Sequence, residues 1–336
     1  MKIKVFTAFA GYDSQCMALD KAGIEYELIG WSEIDKYAIQ AHNALFPQYQ
    51  NRNYGDIKKI DWDKVPDFDL FTYSSPCQDF SRAGHMKGGD EDSGTRSSLL
   101  WECRKAIQTK RPKYLILENV RDLVSRRFYP LFCEWLKELE GMGYENNWKV
   151  VNAIDNNCPQ NRQRVILVSI RKFNFPAAVD LDDSLDSIFD TDVSPDYYVA
   201  ADQVGCICEE QPKQDYLRIR QATRLGYIEV KRGGVFDSTF PNSKTRRGRV
   251  QGNAGDICPT LTASASNCIL RFEGYKDGKP VVRKLTEREI FRLMGVSDDQ
   301  IDTMQSANIG ARQQRKLAGN SICVNVLQNV FSEIFN

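Results

Sequence analysis

Short segments of the chain carry side chains able to do chemistry. Ser75-Pro76-Cys77-Gln78-Asp79-Phe80-Ser81 follows directly on the apolar run Asp69 to Ser74. A thiolate is the strong nucleophile among ordinary side chains. At a strand end, beside a loop rich in Gly and Ser, it can be exposed enough to react. Taken alone, such a cysteine is more simply a small buried thiol. In Leu115-Ile116-Leu117-Glu118-Asn119-Val120, Glu118 is the first polar residue after a buried run. A half-buried carboxyl there could stay protonated and act as an acid or hydrogen-bond donor. A helix-start carboxylate facing the dipole fits equally well. In Pro159-Gln160-Asn161-Arg162-Gln163-Arg164-Val165, Arg162 and Arg164 lie two apart, so an extended segment points both to one face. An ion-paired strand start is the ordinary alternative.

The elements that must position these residues follow from the apolar pattern. Strand-like runs cover Ile3 to Phe9, Tyr26 to Trp31, Asp69 to Ser74, Tyr114 to Leu117, Val150 to Ala153 and Val165 to Ile170. Helical patterns separate them, through Ala22, from Ile34 to Phe46, and at about 97–110 and 128–142. This alternation predicts βαβ units and an α/β, doubly wound, mostly parallel sheet. Ligands of such sheets bind at the carboxyl ends of the strands, where the Cys77 and Glu118 segments begin, while Arg162 and Arg164 precede a buried run. Composition shifts near residue 171, so a boundary is expected at about 172–176 and a smaller, irregular domain beyond it. From Gly319, helix-like spacing of Val326, Leu327, Val330, Phe331 and Ile334 predicts a last helix that packs back on the first domain.

The chain has 336 residues, 45 Lys+Arg and 45 Asp+Glu, for a net charge of zero. This excludes a globally basic nucleic-acid binder but not a basic face. The zero is a cancellation: Ala178 to Glu210 holds ten acids and no base, and Lys213 to Val250 ten bases against three acids. Residues 104–127 add eight bases against two acids. The basic segments are expected to flank the cleft containing Cys77, and the acidic block to face away. Ten cysteines are too sparse for a disulfide scaffold. The first residues read as a strand, not a signal peptide, and no apolar run is long enough to span a membrane. Free thiols in a reducing cytosol are expected. Cys206 and Cys208 lack companions, so no metal site is expected.

Together the Pro-Cys-Gln, Glu-Asn-Val and Gln-x-Arg-x-Arg elements, in this order and spacing, resemble the DNA (cytosine-5)-methyltransferase family. Phe9-Ala10-Gly11 resembles that family's first motif, Glu33 in Ser-Glu-Ile-Asp-Lys the second, and Gly55-Asp56-Ile57 the third. Arg96 to Glu102 resembles the fifth, Pro259-Thr260-Leu261-Thr262-Ala263 the ninth, and Gly319-Asn320-Ser321-Ile322 the last. The match covers about 1–171 and 251–336; the stretch between lies where the family keeps its variable target-recognition region.

The resemblance implies an S-adenosylmethionine-dependent, Rossmann-like enzyme acting on a specific duplex DNA sequence. A catalytic domain would comprise 1–171 plus 317–336, and a target-recognition domain 172–316, with its variable part at about 172–250. Cys77 would attack C6 of a flipped-out cytosine, Glu118 would protonate N3, and Arg164 would hold O2. Arg162 would support them, touch the DNA backbone or lower the Cys77 pKa. Phe9, Gly11, Glu33, Asp56, Ile57, Pro76, Leu99, Asn320 and Ile322 would bind the cofactor. Ser81 and Arg82, on a glycine-rich loop suited to closing over DNA, and Lys244, Arg246, Arg247 and Arg249 would meet the duplex. The implied state is a cytoplasmic monomer on DNA with no metal and no membrane contact. Whether it serves a restriction–modification pair, a phage or a solitary regulator is left open. One departure stands out: Asp13 occupies a position where the family usually has glycine. Asp tolerates a left-handed backbone, so replacement by Gly is expected to leave activity intact or tighten cofactor binding. Other readings are a tRNA cytosine-5 methyltransferase of the same architecture and a catalytically silent DNA-binding protein. A nicotinamide oxidoreductase is disfavoured because no G-x-G-x-x-G follows the first strand.

Overall fold

The computed structural model describes residues 2–75, 99–182, 184–210, 215–264 and 266–336. A six-stranded sheet is ordered β2-β1-β3-β4-β6-β5. Its strands are β1 (Ile3–Ala8), β2 (Tyr26–Ser32), β3 (Leu70–Tyr73), β4 (Tyr114–Val120), β5 (Asn146–Asn152) and β6 (Gln163–Ser169). β2, β1, β3 and β4 run parallel, while β6 is antiparallel to both β4 and β5. The expected doubly wound, mostly parallel sheet is therefore present. β5 starts four residues before the expected Val150, because its first residues, from polar Asn146, are only half-buried and give no apolar signal.

Alternate residues of each strand feed opposite apolar layers, as the two-residue period of a strand requires. Val5, Leu70, Ile116 and Ile166 join α1 (Ser14–Lys21) and α2 (Lys36–Leu45) on one face. Phe6, Phe71, Leu117 and Leu167 join α3 (Leu99–Lys110) and α4 (Tyr129–Gly141) on the other. Strand order reverses at β1, which pairs with β2 on one side and β3 on the other. That switch point opens a crevice at the carboxyl edge of the sheet.

Past β6 comes a short α5 (Leu185–Ile188), then β7 (Tyr198–Val199), β8 (Tyr216–Arg220), β9 (Tyr227–Lys231), β10 (Val235–Asp237), β11 (Ile269–Lys276) and β12 (Lys279–Lys284). These form an antiparallel sheet β10-β11-β12-β7 and a separate β8-β9 hairpin. The segment thus has more regular structure than its weak periodicity predicted, built as short strands rather than helices. Its own apolar core runs from Val204 to Val282.

The remaining chain forms α6 (Glu287–Arg292), α7 (Asp298–Ser306), α8 (Ala311–Asn320) and α9 (Val324–Phe335). Leu285, Phe291, Met304 and Leu317 pack in the same layer as α1 and α2. On this packing we propose counting 285–336 with the large domain, rather than from 317 onward. α9 lies on α1 and the sheet, with Lys21 Nζ donating to Asn325 Oδ1 at 2.7 Å and Phe335 edge-on to Tyr114 at 4.9 Å. Among the described residues, no helix is long and apolar enough to cross a membrane.

Candidate active site

The carboxyl ends of β3 and β4 hold the chemical residues. Glu118 lies near the end of β4, and Arg164 lies at the start of β6 on the neighbouring strand. Antiparallel register sets Val120 opposite Arg164 and Ile166 opposite Glu118. Glu118 and Arg164 are therefore diagonal neighbours on one face. Arg164 Nε meets Glu118 Oε1 at 3.0 Å, and its Nη1 donates to Gln163 O at 2.8 Å. Burial raises the Glu118 pKa above the ordinary carboxylate value. The charges of Arg164 and Arg162, and hydrogen bonds from Arg164 and Ser74, oppose that rise without cancelling it. The result is a carboxyl that keeps its proton to higher pH than a free glutamate.

Asn119 points the other way and fixes the neighbouring strand end. Its Nδ2 donates to Ser75 O at 3.2 Å, and its Oδ1 accepts from Val120 N at 2.9 Å. Ser75 stands two residues before Cys77, so the chain is delivered to this edge at a set point. Cys77 itself lies outside the described residues, as do Pro76, Ser81 and Arg82.

Arg162 does not lie at a surface. It is 2% exposed and donates to the carbonyls of Leu261, Gly319 and Ser321. Burial lowers its guanidinium pKa, with Arg164 adding to the effect and Glu118 opposing it. Contact with a DNA backbone is thereby excluded for Arg162. It instead ties together three segments that the sequence singled out separately: Gln-x-Arg-x-Arg, Pro-Thr-Leu-Thr-Ala and Gly-Asn-Ser-Ile. Gly319 permits the approach, because a Cβ there would sit 2.3 Å from Ala263 N. Gly319→Ala is expected to cost roughly 3 kcal/mol by overpacking, seen as a lowered urea midpoint with unchanged slope.

The cofactor candidates gather around the loop after β1. Phe9 and Gly11 both take left-handed backbone, with φ of 56° and 60°. A Cβ on Gly11 would meet only open space. Glu33, after β2, accepts from Gly11 N at 3.0 Å, Ile34 N at 2.7 Å and Asp35 N at 2.8 Å. It stays partly exposed, and its oxygens can still accept from hydroxyls. Asp56 caps a short 3-10 turn by accepting from Lys58 N at 3.1 Å. Ile57 and Ile322 are core residues, 4% and 5% exposed, so little of either side chain is open to solvent. Leu99 opens α3, and Asn320 is exposed at the end of α8. A residue missed by the sequence reading is Ile34, an apolar side chain 72% exposed beside Glu33. Among the described residues, no cluster of three or more His, Cys, Asp or Glu is placed to hold a metal ion.

The duplex candidates divide by burial. Arg249 is fully buried and donates to the carbonyls of Asp237, Thr239 and Phe240, so its role is to brace that loop. Arg246 pairs with buried Asp237. Lys244 and Arg247 are exposed. They line a groove of about 710 Å³ with Gln221, Ala222, Thr223 and Arg224, which lie in the turn between β8 and β9. The two loops are stitched by Ala222 N donating to Arg246 O at 2.9 Å and Arg249 N to Gln221 Oε1 at 2.8 Å. Arg224 was not singled out from sequence, because only the hairpin brings it beside Lys244 and Arg247; Leu225 and Phe240 are exposed apolar side chains, 71% and 70%.

A sheet reversing at β1, with a glycine-bearing loop there and an acid after β2, has the fold of Rossmann-like S-adenosylmethionine-dependent methyltransferases. Solved structures agree on the fold. The Entamoeba histolytica methyltransferase EhMeth aligns with a TM-score of 0.73 at 14% identity, covering 100% of this chain and 98% of that one. The S. pombe Dnmt2 methyltransferase aligns with a TM-score of 0.68 at 15% identity, covering 98% and 97%. The chain belongs to the C-5 cytosine-specific DNA methylase family, which it matches over residues 3–336. It is therefore a DNA (cytosine-5-)-methyltransferase. It is 35% identical to Type II methyltransferase M2.ScrFI of Lactococcus lactis subsp. cremoris over 99% of each chain. It is 31% identical to Type II methyltransferase M.NgoBI of Neisseria gonorrhoeae, over 97% of this chain and 90% of that one.

Proposed function

We propose that the chain moves a methyl group from S-adenosylmethionine to C5 of a cytosine flipped out of a specific duplex sequence, through a covalent bond between Cys77 and C6. The observation that carries this reading is the buried Glu118–Arg164 pair beside the strand end that leads into Cys77. The bound cofactor supplies an electrophilic methyl group. Open space over Gly11, the acceptor carboxylate of Glu33 and exposed Ile34 suit its amino-acid, ribose and adenine parts.

Cytosine C5 is a poor nucleophile until the ring is activated. Addition of the Cys77 thiolate forms the S–C6 bond and shifts the C5–C6 π electrons to C5, which takes the methyl group. Glu118 donates its proton at N3 as that nitrogen gains electron density. Arg164 stabilises charge at O2 through a permanent cation. The methyl–sulfur bond of the donor breaks, leaving the thioether S-adenosylhomocysteine. Loss of the C5 proton to a base, return of the N3 proton to Glu118 and breaking of the C6–S bond then restore the aromatic ring, the acid and the thiolate. The target atom is inaccessible inside a duplex, so the base is extruded into the pocket.

The groove of Arg224, Lys244 and Arg247 faces the duplex in this reading. Arg224→Ala and Arg247→Ala are each expected to reduce the slope of log affinity against log salt by about 1. Anisotropy titrations of duplex across salt concentrations measure it; an unchanged slope removes that residue from the interface. Two relatives carry the name type II methyltransferase, and we read this chain as the modification partner of a restriction–modification system. It would act as a monomer on nucleoid DNA in the cytoplasm, without a metal. Methyl transfer from labelled cofactor to duplex DNA but not to tRNA tests the substrate; transfer to tRNA alone would overturn it.

A further inference from the structure

We propose that Asp13 is a positioning residue that pins the loop Phe9–Asp13 in its cofactor-binding shape, with Thr7 and His42 acting through it. The proposal rests on the reading that this loop meets S-adenosylmethionine.

The loop is an uncommon piece of backbone. Phe9, Gly11 and Asp13 all have left-handed φ, at 56°, 60° and 66°. Only one of them is glycine. Strained residues of this kind persist where their surroundings over-determine them. On the outer side, the restraint is Gly11 N donating to Glu33 Oε2 at 3.0 Å. On the inner side it is Asp13, whose side chain is fully buried. Its Oδ1 accepts from Cys16 N at 3.1 Å, which caps α1. Its Oδ2 accepts from Thr7 Oγ1 on β1 at 2.9 Å. The same oxygen lies 3.3 Å from Nε2 of His42, a fully buried residue of α2. The His42 ring stacks on Trp31 at 3.7 Å and 16°, and Trp31 lies two residues before Glu33 on β2. One carboxylate therefore hydrogen-bonds to β1 and α1 and lies against His42 of α2, beside the loop whose Gly11 N is held by Glu33.

Glycine would adopt this φ freely and would supply none of those ties. Considering the backbone alone led to the expectation that Asp13→Gly is neutral or beneficial. The hydrogen bonds reverse that expectation. With Asp13 the loop is ordered when the protein folds; with glycine it must be ordered when the cofactor binds, which weakens binding.

The test is calorimetric titration of S-adenosylmethionine into the full chain, well below the melting midpoint of each variant. Asp13→Gly is expected to bind about tenfold more weakly, from the ordering cost returned to the binding step. Asp13→Asn keeps an acceptor for Cys16 N and tolerates the left-handed backbone, so it is expected to stay within about threefold of the native affinity. Amide exchange at Gly11 and Tyr12 is expected to accelerate in Asp13→Gly alone. A lowered melting midpoint with native affinity in Asp13→Gly would reduce Asp13 to a helix cap and overturn the proposal. If that variant does not fold, Thr7→Val carries the test, because it removes one hydroxyl and leaves the cap. Its binding is expected to weaken, and native affinity would overturn the pin. Absence of binding by the native protein in the same titration would overturn the cofactor reading itself, and the pin with it.

Discussion

Cys77→Ala abolishes methyl transfer, by a factor of roughly 10⁴–10⁶ as for loss of other covalent nucleophiles, and leaves duplex binding largely intact. β3 ends at Tyr73 within a buried sheet, and Asn119 fixes Ser75 by hydrogen bonds to its carbonyl and hydroxyl. Ser75, two residues before Cys77 in sequence, is thus held at the edge that carries Glu118 and Arg164. The exposed cations of the hairpin groove belong to another part of the chain, so affinity for the duplex does not depend on the thiol. Single-turnover transfer of labelled methyl, beside anisotropy with the same duplex, checks both halves. Retained turnover would sink the covalent mechanism.

Glu118→Gln lowers the rate of methyl transfer by about 10²–10⁴, the usual contribution of a positioned acid, with a smaller effect on duplex affinity. The glutamine amide can still hydrogen-bond to N3 but has no proton to transfer. A pH profile distinguishes this from simple damage. Burial raises the Glu118 pKa, so its acid form predominates below that raised value and is lost as pH rises through it. Native activity falls on that limb, and the glutamine variant lacks it. Breaking the pair also leaves the partly buried Arg164 without its carboxylate, so a loss of stability accompanies the change. A native pH profile in the variant would remove Glu118 from proton transfer.

The large domain was legible because its central strands are buried on both faces and read as short apolar runs between helical patterns. Glu118 and Arg164 were legible for the same reason, as the polar residues flanking such runs. Burial of the individual side chains was not. Arg162 and Arg249 each look like a surface cation in sequence, yet both are enclosed and spend their donors on backbone carbonyls. Sequence position separates Arg162 from Leu261 and Ser321 by about a hundred residues or more, so nothing local announces that clamp. Ile57 and Ile322 show the complementary limit: the sequence named them by motif, but not that both side chains are packed in the core. Asp13 shows the same limit at one residue. Its backbone angle followed from its type, but Thr7, Cys16 and His42 converge on it only in the fold.

The central claim is that Cys77 bonds to cytosine C6 during methyl transfer. Incubation with S-adenosylmethionine and a target duplex carrying 5-fluorocytosine tests it most directly, because fluorine cannot leave C5 as a proton does. The expected result is a denaturation-resistant protein–DNA complex of one chain per target site, formed by the native protein and absent with Cys77→Ala. A native protein that methylates ordinary duplex yet forms no such complex would contradict the account.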